Sequence, residues 1–246
     1  MNRPALYKVL NADGSVCNGG TGKWPLPRNG EPGEWHWVRG PLVPCENALH
    51  LCRREDLIYW LGPAIFAAES AGDEWLEEKS KVCVRRARLV HHIETWNERT
   101  ARLFAADCAE HVLPNWERLY ASDYRVRKTI ETARLFARGE VDIYALRAAY
   151  LAALSAARSA SAALSASAAY LAADSASAAY LAADSAAYLA ADSASAAYWD
   201  LAARSASAAL SAALSASAAY WDLAAYSAEC RWQTDRLFDH LEGRAT

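Results

Sequence analysis

The spacing of apolar positions changes twice along this chain. Up to about residue 92 they alternate in short runs broken by Gly and Pro. From Thr95 they recur at three and four residues, and from Ile143 they stand in an alanine–serine background. Tyr7-Lys8-Val9-Leu10 running into Asn11-Ala12-Asp13-Gly14 predicts a strand and a turn. Trp35 to Val38 predicts a second strand, and Pro41 to Cys52 holds a third. Arg54 to Leu61 reads as a short helix that Gly62-Pro63 stops. Ala64 to Glu69 and Lys81 to His91 are further strands, and alternation in the last places Val82, Val84 and Arg86 on one face.

The middle of the chain predicts two amphipathic helices. Thr95 reads as an N-cap with Glu98 three residues on, a capping-box pattern. Leu103, Phe104, Cys108 and Val112 come after it at helical spacing, and Pro114 is expected to end the helix. A second helix is expected from Tyr124 to Arg138, stopped by Gly139. At the far end, Ser227 to Glu242 presents Trp232, Leu237, Phe238 and Leu241 on one face. This helix and the one carrying Trp96, Leu103, Phe104 and Val112 are expected to pack together and close a bundle.

Residues 143–229 contain neither Gly nor Pro and repeat phrases such as SASAAYLAAD and SASAAYWDLAAR. Ala is the best helix former and nothing here breaks a helix. Tyr170 to Tyr188, Leu171 to Leu189 and Tyr180 to Tyr198 are each 18 residues apart, about five turns at ~3.6 residues per turn. They therefore share a helix face, and the many aromatics argue against a disordered linker. One unbroken helix of about 90 residues would reach ~135 Å. The stretch is expected to fold back instead, breaking at Asp174-Ser175, Asp184-Ser185 or Asp192-Ser193, where Asp or Ser can cap a new helix.

The fold class is therefore α+β: a small β-rich domain over residues 1–92, then an Ala-rich helical bundle over residues 93–246. With 246 residues and a net charge of −3, the chain shows no basic stripe beyond Arg85-Arg86-Arg88, so nucleic acid is not an expected partner. No window approaches 20 strongly apolar residues, so no membrane segment is expected. The start, MNRPALYKVLNADG, has no apolar core of a signal peptide. A cytoplasmic location and reduced cysteines are the expectation.

Two stretches carry a resemblance. Tyr7-Lys8-Val9-Leu10, Pro32-Gly33-Glu34-Trp35, Val43 to Cys52, Tyr59 to Pro63 and Val84 to Leu89 resemble a domain of unknown function of bacterial and phage proteins. Members usually carry Gly where this chain has Ala48. Arg102 to Leu113, Arg125 to Arg134 with Gly139-Glu140, and Trp232 to Leu237 resemble a family labelled putative immunity proteins. Its members often bear Ala-rich helices of variable length, and they usually have Arg-Pro where this chain has Arg125-Val126. The resemblance implies a helical architecture and a bacterial or phage origin, and it transfers no catalytic residue.

Candidate chemistry is sparse. Cys17, Cys45, His50 and Cys52 offer ligands of the kind that hold Zn²⁺, but C-x4-H-x-C is not a common zinc spacing. They read as a small buried thiol cluster beside a core His, with no metal and no cofactor assigned. His50, Tyr59 and Glu69 resemble the His-Tyr-Glu pattern of ADP-ribosyltransferase folds, in which a Glu stabilises charge developing at the ribose. Glu69 comes too soon after Tyr59 for that pattern. His91-His92 reads as a solvent-facing strand end. Asp107, Cys108 and His111 share a helix, and Cys108 reads as a core thiol rather than half of a thiolate pair. Arg125, Arg127 and Lys128 beside Glu131 read as a solvated face with i,i+4 pairing, or as an anchor for an acidic partner.

These readings point to a non-enzymatic interaction protein of the immunity type. Its expected partner is another protein, or a second copy held through the Ala-rich helices. The alternatives are a ribosyl-transferring or nucleotide-binding module on the N-terminal domain, and a phage structural spacer built on one long helix.

Overall fold

The computed structural model describes residues 4–19, 21–167 and 223–245. Within them the architecture is α+β: an antiparallel sheet between residues 6 and 92, and then helices. The chain divides into two compact units, Met1–Asn97 with Leu237–Thr246, and Glu98–Arg236.

In the first unit the strands are β1 (Leu6–Leu10), β2 (His36–Trp37), β3 (Leu49–Leu51), β4 (Ala64–Glu78) and β5 (Lys81–His92). A 3₁₀ turn, Arg54–Tyr59, separates β3 from β4. The sheet order is β1-β4-β5-β2, and β3 also pairs β5. Cys52, directly after β3, exchanges backbone hydrogen bonds of 2.8 Å with Tyr7, so β1-β4-β5-β3 returns upon β1 at that point. Leu6, Leu10, Leu49, Leu51, Phe66, Val82 and Val84 fill the core of this ring.

β4 is longer than the expected 64–69 strand, because it continues past Gly72 to Glu78 against β5. The pairing slips there: Ala71 faces Arg86, but Trp75 already faces Val84. Such a bulge inserts extra residues and shifts the phase of the strand beyond it. The expected face Val82–Val84–Arg86 is also not continuous along β5. Val82 and Val84 are buried, Arg86 is exposed, and Ala87 and Leu89 take the inner positions.

The helices are α1 (Glu98–Leu119), α2 (Arg125–Ala137), α3 (Ile143–Ser167) and α4 (Leu223–Leu241) among the described residues. Thr95 does not cap α1. Its hydroxyl donates instead to the carbonyl of Leu241, and the helix starts at Glu98. Pro114 does not end α1 either, since it lies inside the helix. Leu113 and Trp116, both fully buried, tie the turn after it to the core and offset the lost hydrogen bond. Pro114→Ala should therefore stabilise the protein, by up to ~3 kcal/mol less whatever the proline gains through the unfolded chain, as read from thermal unfolding.

α2 buries Val126, Thr129, Ile130, Ala133 and Ala137, a single face at helical spacing. Gly139 ends it in the left-handed region, with the Gly139 N–H donating to Phe136 O and the Glu140 N–H to Leu135 O, both at 2.9 Å. Asp142 caps α3 by accepting the Ala145 N–H at 2.9 Å. Leu146 and Tyr150 of α3 pack on Ala133 and Phe136 of α2. The expected break points between Asp174 and Ser193, and the Tyr170–Trp221 stripe, lie outside the described residues.

The expected partnership of α1 and α4 is present within the second unit, through His111 on Trp232 and Asp107 with Arg236. Trp96, Phe238 and Leu241 belong to the first unit, where Trp96 donates its indole N–H to Gly62 O at 2.8 Å and the Phe238 ring meets Tyr7 edge-on at 5.4 Å.

Candidate functional site

The first unit contains a cavity of about 570 Å³. The fold gathers Cys17, Cys45, His50 and Cys52 around it, as their sequence proximity suggested. They are not a buried thiol cluster, however: Cys52 is buried, Cys17 is half-buried and Cys45 is exposed. Cys45 is one of two non-glycine residues at positive φ among the described residues. That turn lets its N–H donate to His50 Nε2 at 3.1 Å, so the imidazole acts as acceptor there. Burial, then the charges of Lys81 and Lys8, push the His50 pKa down to about 4. Burial pushes the Cys52 thiol up to about 12, so it remains protonated at neutral pH. Zinc takes thiolates, and among the described residues no group of three or more His, Cys, Asp or Glu is arranged to hold a metal ion.

The depressed His50 has a consequence for stability. Above pH 6.5 it is neutral in both folded and unfolded chains. Between pH 6.5 and about 4 the unfolded chain takes up a proton that the folded one refuses, so stability falls as pH falls. His50→Gln keeps an acceptor for the Cys45 N–H and cannot titrate. Melting temperature measured against pH should fall less steeply over that window in the variant. Parallel curves would show that His50 is not responsible.

Lys8 and Lys81 also line the cavity, and no motif in the sequence singles them out. Lys8 Nζ donates to His50 O at 3.0 Å and lies 5.1 Å from the Trp24 ring centre. Lys81 Nζ donates to Cys45 Sγ at 3.0 Å and lies 5.6 Å from the Trp60 ring centre. One signal was available: Lys8 alternates with Leu6 and Leu10 on β1, a cation at the period of core positions.

His50, Tyr59 and Glu69 are not assembled into a site. His50 faces Cys83 on β5 while Glu69 faces Arg88, five positions or roughly 16 Å further along. Glu69 is engaged by Arg88, and Tyr59 stands exposed at the end of the 3₁₀ turn. His91 and His92 are exposed at the end of β5, with His92 against the Phe66 ring at 4.9 Å.

The second unit is organised around Asp107. This buried carboxylate is gripped by Arg134 of α2 at 2.7 Å and by Arg236 of α4 at 2.6 Å. One turn along α1, His111 stacks on Trp232 with ring centres 3.7 Å apart, and its Nε2 is 3.1 Å from buried Glu229. Gln233 donates to the other oxygen of Glu229 at 2.9 Å. Cys108 is a core thiol, held well above the usual range by burial and then by Glu229. Thus Asp107 and His111, with Cys108 in the core between them, tie α1 to α2 and α4. Arg125 and Arg127 do not pair with Glu131. Arg125 grips Asp123 at 2.8 and 2.6 Å, and Arg127 grips Glu117 at 2.7 and 2.8 Å.

Residues 91–240, running from the end of β5 into α4, match the family described as Imm-5 like putative immunity protein. The chain belongs to that family. No curated protein and no solved structure matches it. Strands β1 to β4 and the cavity lie before the matched segment. Among the described residues, no helix is long and apolar enough to cross a membrane.

Proposed function

We propose that this protein is a non-enzymatic immunity-type factor that binds a partner protein and blocks its action. Membership of the immunity family over residues 91–240 carries the reading. The surface of the helical unit supports it. Tyr124 is 67% exposed, Tyr144 77% and Leu151 53%. Tyr144 and Leu151 lie seven residues apart on α3, two turns along one outward stripe. Large side chains of this kind, tyrosine above all, anchor protein interfaces. Residues 1–92 read as an accessory domain of the unknown-function type, and residues 93–246 as the partner-binding domain.

The test is co-expression with the products of neighbouring genes. One of them should co-purify with the chain at a fixed ratio, and Tyr144→Ala with Leu151→Ala should weaken that complex by at least about tenfold. Failure of every neighbouring product to bind at micromolar concentration would count against the reading.

A further inference from the structure

We propose that the cavity of the N-terminal unit is a binding site for a small organic oxyanion, whose phosphate or carboxylate group sits between Lys8 and Lys81. The cavity lies outside the segment matched to the family, so such a site is independent of the immunity role.

The cavity carries unbalanced positive charge. Neither Lys8 nor Lys81 has a carboxylate within ion-pair reach among the described residues, and each is held by a neutral acceptor, His50 O or Cys45 Sγ. Lys23, at the rim, is already paired with Asp13 at 3.1 Å. Glu46 is the one carboxylate among the described lining residues. Both lysines are half-buried, and a partly desolvated cation without a counter-charge is costly, so a chain keeps one where something else supplies the anion. Burial depresses the Lys8 ammonium, and Lys81 adds to that effect. An anion between them would relieve both.

The shape of the cavity suits an organic ligand. About 570 Å³ falls within the range of small-molecule pockets and far exceeds what a bare phosphate fills. The walls include Trp24 and Trp60, apolar surfaces placed beside the two cations. Convergent cations beside aromatic walls suit a ligand with one charged end and a planar or apolar body. The placement of Lys8 points the same way, because it occupies a core-period position on β1 at which an apolar residue would be cheaper.

The experiment is calorimetric titration of the full chain with four probes: adenosine monophosphate, benzoate, inorganic phosphate and acetate. Adenosine monophosphate or benzoate should bind more tightly than the two bare anions, and which of the pair prevails identifies the charged group. Lys8→Met and Lys81→Met should each weaken that binding by about tenfold or more. Lys81 opens β5 at its half-buried end, so its variant keeps the test valid should Lys8→Met disturb the sheet. No binding of any probe at millimolar concentration would overturn the proposal. So would equal binding of bare and organic anions, or binding unchanged in both variants.

Discussion

Asp107→Ala is expected to destabilise the protein by about 3–5 kcal/mol, measured by urea unfolding of the full chain. The carboxylate is buried, and it is the shared anion of Arg134 and Arg236. Removing it leaves two guanidinium groups facing each other across α2 and α4 with their common counter-charge gone. Arg134 already has its Nε buried without a partner, so it has little slack to reorganise. Glu110 also reaches Arg134 and should recover part of the loss. Adding Arg236→Ala to Asp107→Ala should cost less than the sum of the single changes, because the two residues share one interaction. Simple additivity would mean that Asp107 does not couple the helices.

Trp116→Ala should cost a similar ~3–5 kcal/mol. The indole is fully buried, lies against Tyr120 with ring centres 4.4 Å apart, and donates its N–H to Asp123 O at 3.2 Å. It therefore secures both the last turn of α1 and the link to α2. It also accounts for the persistence of the helix beyond Pro114. Trp116→Phe keeps most of the buried ring and loses mainly the hydrogen bond, so it should cost nearer ~1 kcal/mol plus a small cavity. In Trp116→Ala, amide exchange should accelerate first in residues 115–124. Uniform acceleration across α1 would show that the indole acts on the whole core rather than on that turn.

The elements that local pattern dictates were legible. β1 and β5 were marked by short apolar runs, although burial along them does not keep strict two-residue alternation; α2 has a single apolar face closed by Gly139, and α3 is built on alanine from its start at Ile143. The failures share one cause: distant residues overrode local signals. Gly72 sits where a turn is cheap, yet pairing with β5 carries β4 through a bulge. Pro114 is a helix breaker, yet the burial of Leu113 and Trp116 keeps α1 intact. Thr95 has a capping sequence, but its hydroxyl is claimed by Leu241, 146 residues away.

The sites show the same division. Cys45, His50 and Cys52 were visible because they are close in sequence, and they do surround one cavity. Lys8 and Lys81 give that cavity its charge, and no spacing rule links a residue on β1 to one opening β5. The Asp107–Arg134–Arg236 cluster was likewise hidden, since its members come from three helices. Asp107 and His111 have the residue types of a reactive site, and the structure uses them to hold helices together.

Growth rescue tests the immunity role most directly. Each neighbouring gene product is expressed alone and then together with this chain in the same host. One product should arrest growth alone, the full chain should restore growth, and Asp107→Ala, which loosens the helical unit, should restore it poorly. Growth arrest of equal depth with and without the chain would contradict that role.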